Sequence, residues 1–452
     1  MSSRSFRMGT YRALAALMLP IVLQNLLSAV VNSADVFMLS YVGQDALSAS
    51  SLANQITFVL TLFHWGLLTG TSILAAQYYG KKDFPVIRLV QGLSMDILMS
   101  VTALFTFSCL LVPQLLMRIF TRDPALIALG ADFLRILGLS YLPMSASQVL
   151  LSVFKSVGQT KESAIISTSC LLCNITLNFV SIRILFPGQA RLAMLGVAAA
   201  TVIARFLELL LCALAIRKGF GAPLTAKDCL SVPRWLLRDY TSYTVPVLAN
   251  NLIWGIAIAA LTAIMGRLGS DMVSANAIAS NLRDLSTVVC MALGTAGSIL
   301  LGQEMGAGRM KEAKSLGRML MLLSLLLGAA AGLLLMAARR PILLFSGLED
   351  NAADLLMMMI PVNALYCIGR SYNSCLISGV FCAGGDTKFG VVLDTITMWM
   401  IVLPLSYIAA FVMKWPSLIV YIFLNLDEFV KMIPAALRFY RYRWLKNLTR
   451  DH

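Results

Sequence analysis

The stretch LPIVLQNLLSAVVNSADVFMLSYVGQDALSA, residues 19–49, returns as VPVLANNLIWGIAIAALTAIMGRLGSDMVSA, residues 245–275, at a constant offset of 226. The offset lays Pro20 on Pro246, Asn25 on Asn251, Leu26 on Leu252, Gly43 on Gly269 and Asp45 on Asp271. Followed without a gap it pairs Thr69, Ser72, Ile73, Leu74, Gln77 and Gly80 with Thr295, Ser298, Ile299, Leu300, Gln303 and Gly306. About sixteen of roughly sixty positions match, far above the handful expected for two unrelated apolar segments. Both copies are too apolar for a soluble surface, and duplicated membrane halves of this kind are characteristic of secondary transporters.

Outward from the repeat, the whole 452-residue chain reads the same way. It is 59% hydrophobic and 13% charged, with a mean hydropathy of +0.81. Apolar runs long enough to cross a hydrocarbon core of about 30 Å recur from end to end. They predict helices over 12–40, 46–79, 86–113, 124–154, 161–186 and 193–216, then over 238–266, 272–304, 310–337, 350–381, 388–412 and 417–440. The fold class expected is therefore all-α: a polytopic membrane protein of twelve transmembrane helices. Two six-helix lobes, 1–216 and 238–452, are joined by a connection over 217–237. Six is even, so both copies enter from the same side and are expected to be related by a pseudo-twofold axis along the membrane normal.

The basic residues set the orientation. With both termini inside, the cytoplasmic side collects Arg4, Arg7, Arg12, Lys81, Lys82, Lys227 and Arg234, and later Lys311, Lys314, Lys388, Arg441 and Lys446. Outer turns hold about a third as many, as the positive-inside rule requires. The net charge of +14 thus reflects topology and contact with anionic membrane lipids. A nucleic-acid partner would need those charges on one soluble face, and the pattern offers none. The first apolar run is too long, and too interrupted by Asn25, Asn32 and Asp35, for a cleaved signal. The nine cysteines are odd in number; Cys170 and Cys173 form C-x-x-C inside an apolar helix and read as small core residues, not metal or redox ligands. His64 cannot make a zinc site alone. No P-loop pattern and no nucleophile–base arrangement is present, so neither an ATP-driven pump nor an enzyme is indicated.

Three sets of motifs resemble the multidrug and toxic compound extrusion (MATE) transporters. The first is Leu19-Pro20, Ala34-Asp35 and Gly43-Gln44-Asp45-Ala46-Leu47. The second is Ala76-Gln77-Tyr78-Tyr79-Gly80-Lys81-Lys82-Asp83, mirrored at Gly302-Gln303-Glu304-Met305-Gly306-Ala307-Gly308. The third is Gly158-Gln159-Thr160-Lys161 with its partner Gly385-Asp386-Thr387-Lys388. The resemblance spans nearly the whole chain. It implies a cation-coupled antiporter in the cell membrane that exports lipophilic organic cations and drugs by alternating access. Proton coupling is favoured over sodium, no cofactor is implied, and the chain is expected to act as a monomer. The alternative carried forward is a lipid-linked saccharide flippase of related architecture, whose anionic substrate would want unpaired arginines such as Arg135, Arg283 and Arg370; a membrane-embedded enzyme or scaffold is the remote third.

Asn25, Ser28, Asn32 and Asp35 step by three, four and three, so they share one face of the first helix. A carboxylate at bilayer depth costs about 2.5–3.5 kcal/mol and should face protein or water. On the fifth segment Asn174 and Asn178 stand one turn apart, with Asn178 at a depth comparable to Asp35. The resemblance assigns cation coupling to Asp35, with Asn178 as the family's usual fifth-helix asparagine. Asn32, Asn174 and Asn178 complete the candidate coupling set. In the second copy the stripe becomes Asn251, Trp254, Ile258 and Leu261, and the positions where some family members carry further acids hold Trp254 and Ser371. Coupling is therefore expected to be asymmetric and centred on the first lobe. Arg205 with Glu208, and Asp427 with Lys431, have i,i+3 and i,i+4 spacing and are expected to be structural ion pairs. Arg370 and Asp394 are expected to pair across the second lobe, while Asp96, Arg135, Arg283 and Asp284 have no evident partner in the sequence. No single substrate-contacting residue can be named.

Overall fold

The computed structural model describes residues 3–40, 42–221, 232–341 and 350–451, apart from the side chains of 3–8, 32, 33, 35–37, 40 and 350. All described regular structure is helical. The first repeat forms α1 (Ser3–Ser40), α2 (Gln44–Lys81), α3 (Phe84–Leu111), a short α4 (Pro113–Arg118), α5 (Pro124–Gly138), α6 (Tyr141–Ser156), α7 (Thr160–Leu185) and α8 (Ala190–Arg217). The second forms α9 (Arg234–Gly266), α10 (Ser270–Gly306), α11 (Met310–Ala337), α12 (Asn351–Phe381), α13 (Thr387–Val412), α14 (Ser417–Leu424) and α15 (Asp427–Tyr440). The starts obey local chemistry. Asp83 caps α3, its carboxylate accepting from Val86 N at 3.4 Å, and Asp123 caps α5 by accepting from Ala125 N at 2.8 Å.

Ten of these helices are long and apolar enough to span a membrane, and the pair α5–α6 makes an eleventh if its two parts are one span. That span, expected as one helix over 124–154, bends by 46° between Gly138 and Tyr141. Pro143 has no amide to donate to the Leu139 carbonyl, and the Ser140 hydroxyl donates to the Leu137 carbonyl at 2.6 Å. The segment expected over 417–440 is also interrupted. The Asn425 side chain donates to the Tyr421 carbonyl at 2.9 Å, and the chain restarts as α15 at Asp427. At 14 residues, and with Asp427, Glu428, Lys431 and Arg438 aboard, α15 is too short and too charged to count as a span by itself. π-helical turns at Ser181–Leu185, Ser374–Phe381 and Ile396–Val402 widen α7, α12 and α13. Residues 222–231 of the connection expected over 217–237 lie outside the described residues.

The chain forms two compact units. One holds Leu23–Tyr79 and Asp83–Thr241; the other holds Met1–Val22, Gly80–Lys82 and Ser242–His452. The opening turns of α1 thus pack with the second repeat, and the opening turns of α9 pack with the first. In the former unit Tyr240 of α9 is fully buried and donates to the Leu67 carbonyl at 2.9 Å, beside Thr71 and Ser94. In the latter, Leu14, Leu17 and Ile21 join a core with Leu293, Leu320, Phe381, Phe439 and Trp444. Gly80, at the end of α2, sits where an added Cβ would run into the Gln303 carbonyl oxygen. Beside it Lys81 Nζ lies 2.9 Å from Asp451. Trp444 stacks on Phe439 with ring centroids 5.6 Å apart and donates to the Phe439 carbonyl at 3.1 Å. Arg438 grips Asp386 with two bonds of 2.7 Å, tying the end of α15 to the start of α13.

Candidate ion-coupling and substrate sites

In the unit built mainly from the first repeat, α7 and α8 bring a directed hydrogen-bond relay into the interior. Asn178 is fully buried and its amide donates to Asn174 Oδ1 at 3.4 Å; Asn174 donates to Thr201 Oγ1 at 3.2 Å, and Thr201 to the Val197 carbonyl at 3.1 Å. The one-turn spacing of Asn174 and Asn178 makes this possible, and the π turn beginning at Ser181 follows immediately. Ser28 of α1 donates back to the Gln24 carbonyl at 2.8 Å. Positions 32 and 35 lie within α1, but the side chains of Asn32 and Asp35 lie outside the described residues.

A second polar layer crosses the same unit. Arg205 Nη1 lies 3.0 Å from Glu208 Oε2, and the Ser147 hydroxyl donates to the same oxygen at 2.8 Å. Sequence spacing indicates the pair but not Ser147, which arrives from α6. Close by in sequence, Ser145 takes His64 Nε2 at 2.7 Å and Thr102 Oγ1 at 2.7 Å. His64 is thus a buried hydrogen-bonding residue between α2 and α6. Arg135 has a partner after all: Asp132 lies 3.5 Å away on the same helix and also contacts Arg191. Its i,i+3 spacing was as legible as that of Arg205 and Glu208.

The unit built mainly from the second repeat holds a denser cluster at the break between α14 and α15. Asp427 and Glu428 occupy the first turn of α15, where free amides and the helix dipole favour negative charge. Gly369 lets α12 close on this turn, since a Cβ there would meet Glu428 Cβ at 2.9 Å. Lys431 Nζ reaches three carboxylates: Asp427 at 3.1 Å, Asp394 at 3.2 Å and Glu428 at 3.6 Å. Glu428 also receives Arg370 at 3.2 Å and the Asn373 amide at 2.8 Å, while Asn250 donates to Asp394 at 2.8 Å. The expected Arg370–Asp394 pair is replaced by two others, because α15 inserts Glu428 and Lys431 between the two helices. Glu428 drew no attention in the sequence, although Lys431 stands three residues on; its other cation, Arg370, lies 58 residues away. Ser371 donates to the Ser324 carbonyl at 2.6 Å.

Beside the cluster lies a cavity of about 310 Å³, within the range of small-molecule sites. Its lining includes apolar Trp254, Leu261 and Met398 and polar Arg283, Arg370, Asn425 and Asp427. Arg283 stacks over the Tyr366 ring at 4.8 Å and donates to Asn425 Oδ1 at 3.1 Å.

A family model described as MatE matches residues 20–180 and 246–408, one match in each repeat. An uncharacterized transporter, YisQ, of Bacillus subtilis (strain 168) is 24% identical over 442 residues, covering 96% of this chain and 95% of that protein. The multidrug resistance protein MdtK of Edwardsiella ictaluri (strain 93-146) is 23% identical, with 88% and 87% covered. Among solved structures, the Vibrio cholerae MATE transporter VcmN superposes with a TM-score of 0.89 at 16% identity, covering 98% of this chain and 99% of that one. A MOP superfamily transporter from Pyrococcus furiosus gives 0.85 at 18%, with 96% and 95% covered.

Proposed function

Because the chain belongs to the MATE family, whose model matches both of its repeats, we propose that it is a cation-coupled antiporter exporting lipophilic organic cations and drugs. The family makes it a multi-pass membrane transporter of small molecules. The finer statements are our reading: α14 and α15 together make a twelfth crossing, the two repeats act as lobes that alternate access, and both termini face the cytoplasm of a cell that carries the protein as a monomer in its plasma or inner membrane. Curated relatives named for multidrug resistance, MdtK among them, support the substrate class.

Coupling is assigned to Asp35 with Asn32, Asn174 and Asn178. The observation that carries this assignment is that the other repeat's acids are ion-paired. Asp394, Asp427 and Glu428 are each within ion-pair reach of Lys431, and Glu428 of Arg370 as well. Protein cations thus already occupy these carboxylates, which supports an exchangeable cation at Asp35. With a single carboxylate for the exchange, H⁺ is favoured over Na⁺. Protonation of Asp35 would alter the hydrogen bonding of Asn32, Asn174 and Asn178 and bias the lobe between two arrangements, as coupling requires. The test is purified protein in proteoliposomes loaded with a cationic dye. Dye movement that follows an imposed pH gradient at zero Na⁺ is the expected result. Movement that follows only a Na⁺ gradient at fixed pH overturns the proton assignment, and movement with neither overturns the antiporter reading.

A further inference from the structure

The opening turns of α11 carry Lys311, Lys314 and Arg318, and the same helical face continues to Leu322 and Leu326 in steps of three and four. Neighbouring basic residues of this unit are answered by acids: Arg309 by Glu304, Arg438 by Asp386 and Lys81 by Asp451. Lys311, Lys314 and Arg318 have no ion pair among the described residues. Glu312 stands about 100° round the helix from Lys311, within electrostatic reach of Arg309. Two of the three cations are held by Tyr442 instead. Lys314 Nζ lies 3.8 Å from its ring centroid, and Arg318 donates to its hydroxyl from Nε at 3.1 Å and Nη2 at 2.7 Å. A neutral ring thus positions these cations and leaves their charge uncompensated.

The face borders a cavity of about 520 Å³ whose lining also takes in Tyr11 of α1. Tyr11 is 48% exposed, Leu322 57% and Leu326 67%. A free anion would need only the cations. Here the groove runs on from them into bare leucine, and Leu326 lies about 12 Å beyond Arg318 along the helix. The 28 residues of α11 span about 42 Å, the thickness of a bilayer with its headgroups. Its first turns therefore stand at headgroup level and Leu322 and Leu326 among the acyl chains. Charge, then an aromatic hydroxyl, then leucine is the profile of a single lipid in one leaflet.

We propose that this groove between α1 and α11 binds one anionic phospholipid, its phosphate held by Lys311, Lys314 and Arg318 and an acyl chain laid on Leu322 and Leu326. The cytoplasmic leaflet rests on the orientation proposed above; the binding does not. Native mass spectrometry of the purified protein in neutral detergent reads it, with dioleoylphosphatidylglycerol titrated against dioleoylphosphatidylcholine. Their chains are identical and only the headgroup charge differs. The anionic lipid should bind tighter by at least about fivefold, the worth of one cation at a membrane surface. Lys311 bonds to no described residue, so Lys311→Gln has no internal contact to lose. It should weaken phosphatidylglycerol about fivefold, and with Arg318→Gln about twenty-five-fold, while phosphatidylcholine moves by less than about twofold. Leu322→Ser with Leu326→Ser, all cations retained, should also weaken phosphatidylglycerol by at least about fivefold. Lys388→Gln removes an exposed cation at the start of α13 and should change nothing. The inference is overturned if the unaltered protein shows no preference, or if Lys388→Gln weakens the lipid as much as Lys311→Gln. Undiminished binding by the two-leucine variant overturns it too. So does displacement of the lipid by an equal concentration of glycerophosphoglycerol, which has the headgroup without the chains. Labelling of Lys227→Cys from outside intact cells, with this selectivity unchanged, would overturn the leaflet and leave the site.

Discussion

Lys431 of α15 and Asp394 of α13 meet at 3.2 Å, and the same ammonium lies 3.1 Å from Asp427 one turn back on its own helix. One buried lysine therefore joins two helices that sequence spacing keeps apart, and holds together carboxylates that would otherwise repel.

Lys431→Met should accordingly be far more damaging than its single methylene-rich side chain suggests. Breaking a buried ion pair costs about 3–5 kcal/mol because the partner charges stay behind. We expect a large loss of folded protein by size-exclusion in mild detergent and a lowered thermal midpoint. Adding Asp394→Asn and Asp427→Asn to Lys431→Met should recover much of it. No recovery would mean that the lysine acts through packing alone.

Arg205 and Glu208 give a parallel case in the other unit. Glu208→Leu leaves Arg205 without its carboxylate and Ser147 with only the Met144 carbonyl as acceptor. Arg205 is 27% exposed, so the cost should lie toward the lower end of about 3–5 kcal/mol. The double change Arg205→Met with Glu208→Leu should retain more folded protein than Glu208→Leu alone. A double variant that folds well and has lost all drug efflux would show the pair to be functional.

Asp35→Asn approximates a permanently protonated carboxyl. It should express and bind cationic dye as the unaltered protein does, while gradient-driven efflux stops. Undiminished efflux in proteoliposomes would remove Asp35 from the mechanism.

The orientation has its own check. In a cysteine-free background, Lys227→Cys should resist a membrane-impermeant thiol reagent in intact cells and react after permeabilisation. Labelling from outside would reverse the topology drawn from the basic residues.

Trp444 is fully buried on Phe439 near the end of the chain. Trp444→Ala should lower stability by about 3–5 kcal/mol, as large aromatic truncations do. A thermal midpoint within error of the unaltered protein would show that this terminal segment is dispensable.

Much of this was legible in the residues. Apolar length located the helices, and the offset of 226 revealed the duplication. Helical spacing supplied Arg205 with Glu208 and Asp427 with Lys431, since partners on one face are neighbours in the sequence too. What could not be read was contact between helices. Glu428 became the partner of Arg370 only because the break at Asn425 turns the first turn of α15 toward α12. The bend at Ser140 was within reach, because Pro143 announces it. The polar stripe on α1 stays an inference from spacing, as the side chains of Asn32 and Asp35 lie outside the described residues.

The exchange of opening helix turns between the units bears on the order of assembly. Leu14, Leu17 and Ile21 leave the ribosome long before packing partners that include Phe439 and Trp444. The unit spanning Leu23–Thr241 has all its residues once α9 has begun to emerge. The other cannot close until Trp444 has emerged, so Leu14, Leu17 and Ile21 wait through the synthesis of both repeats for the surface that will cover them. Truncation before Phe439 should therefore expose Leu14, Leu17 and Ile21 to quality-control proteolysis while the unit spanning Leu23–Thr241 is already packed.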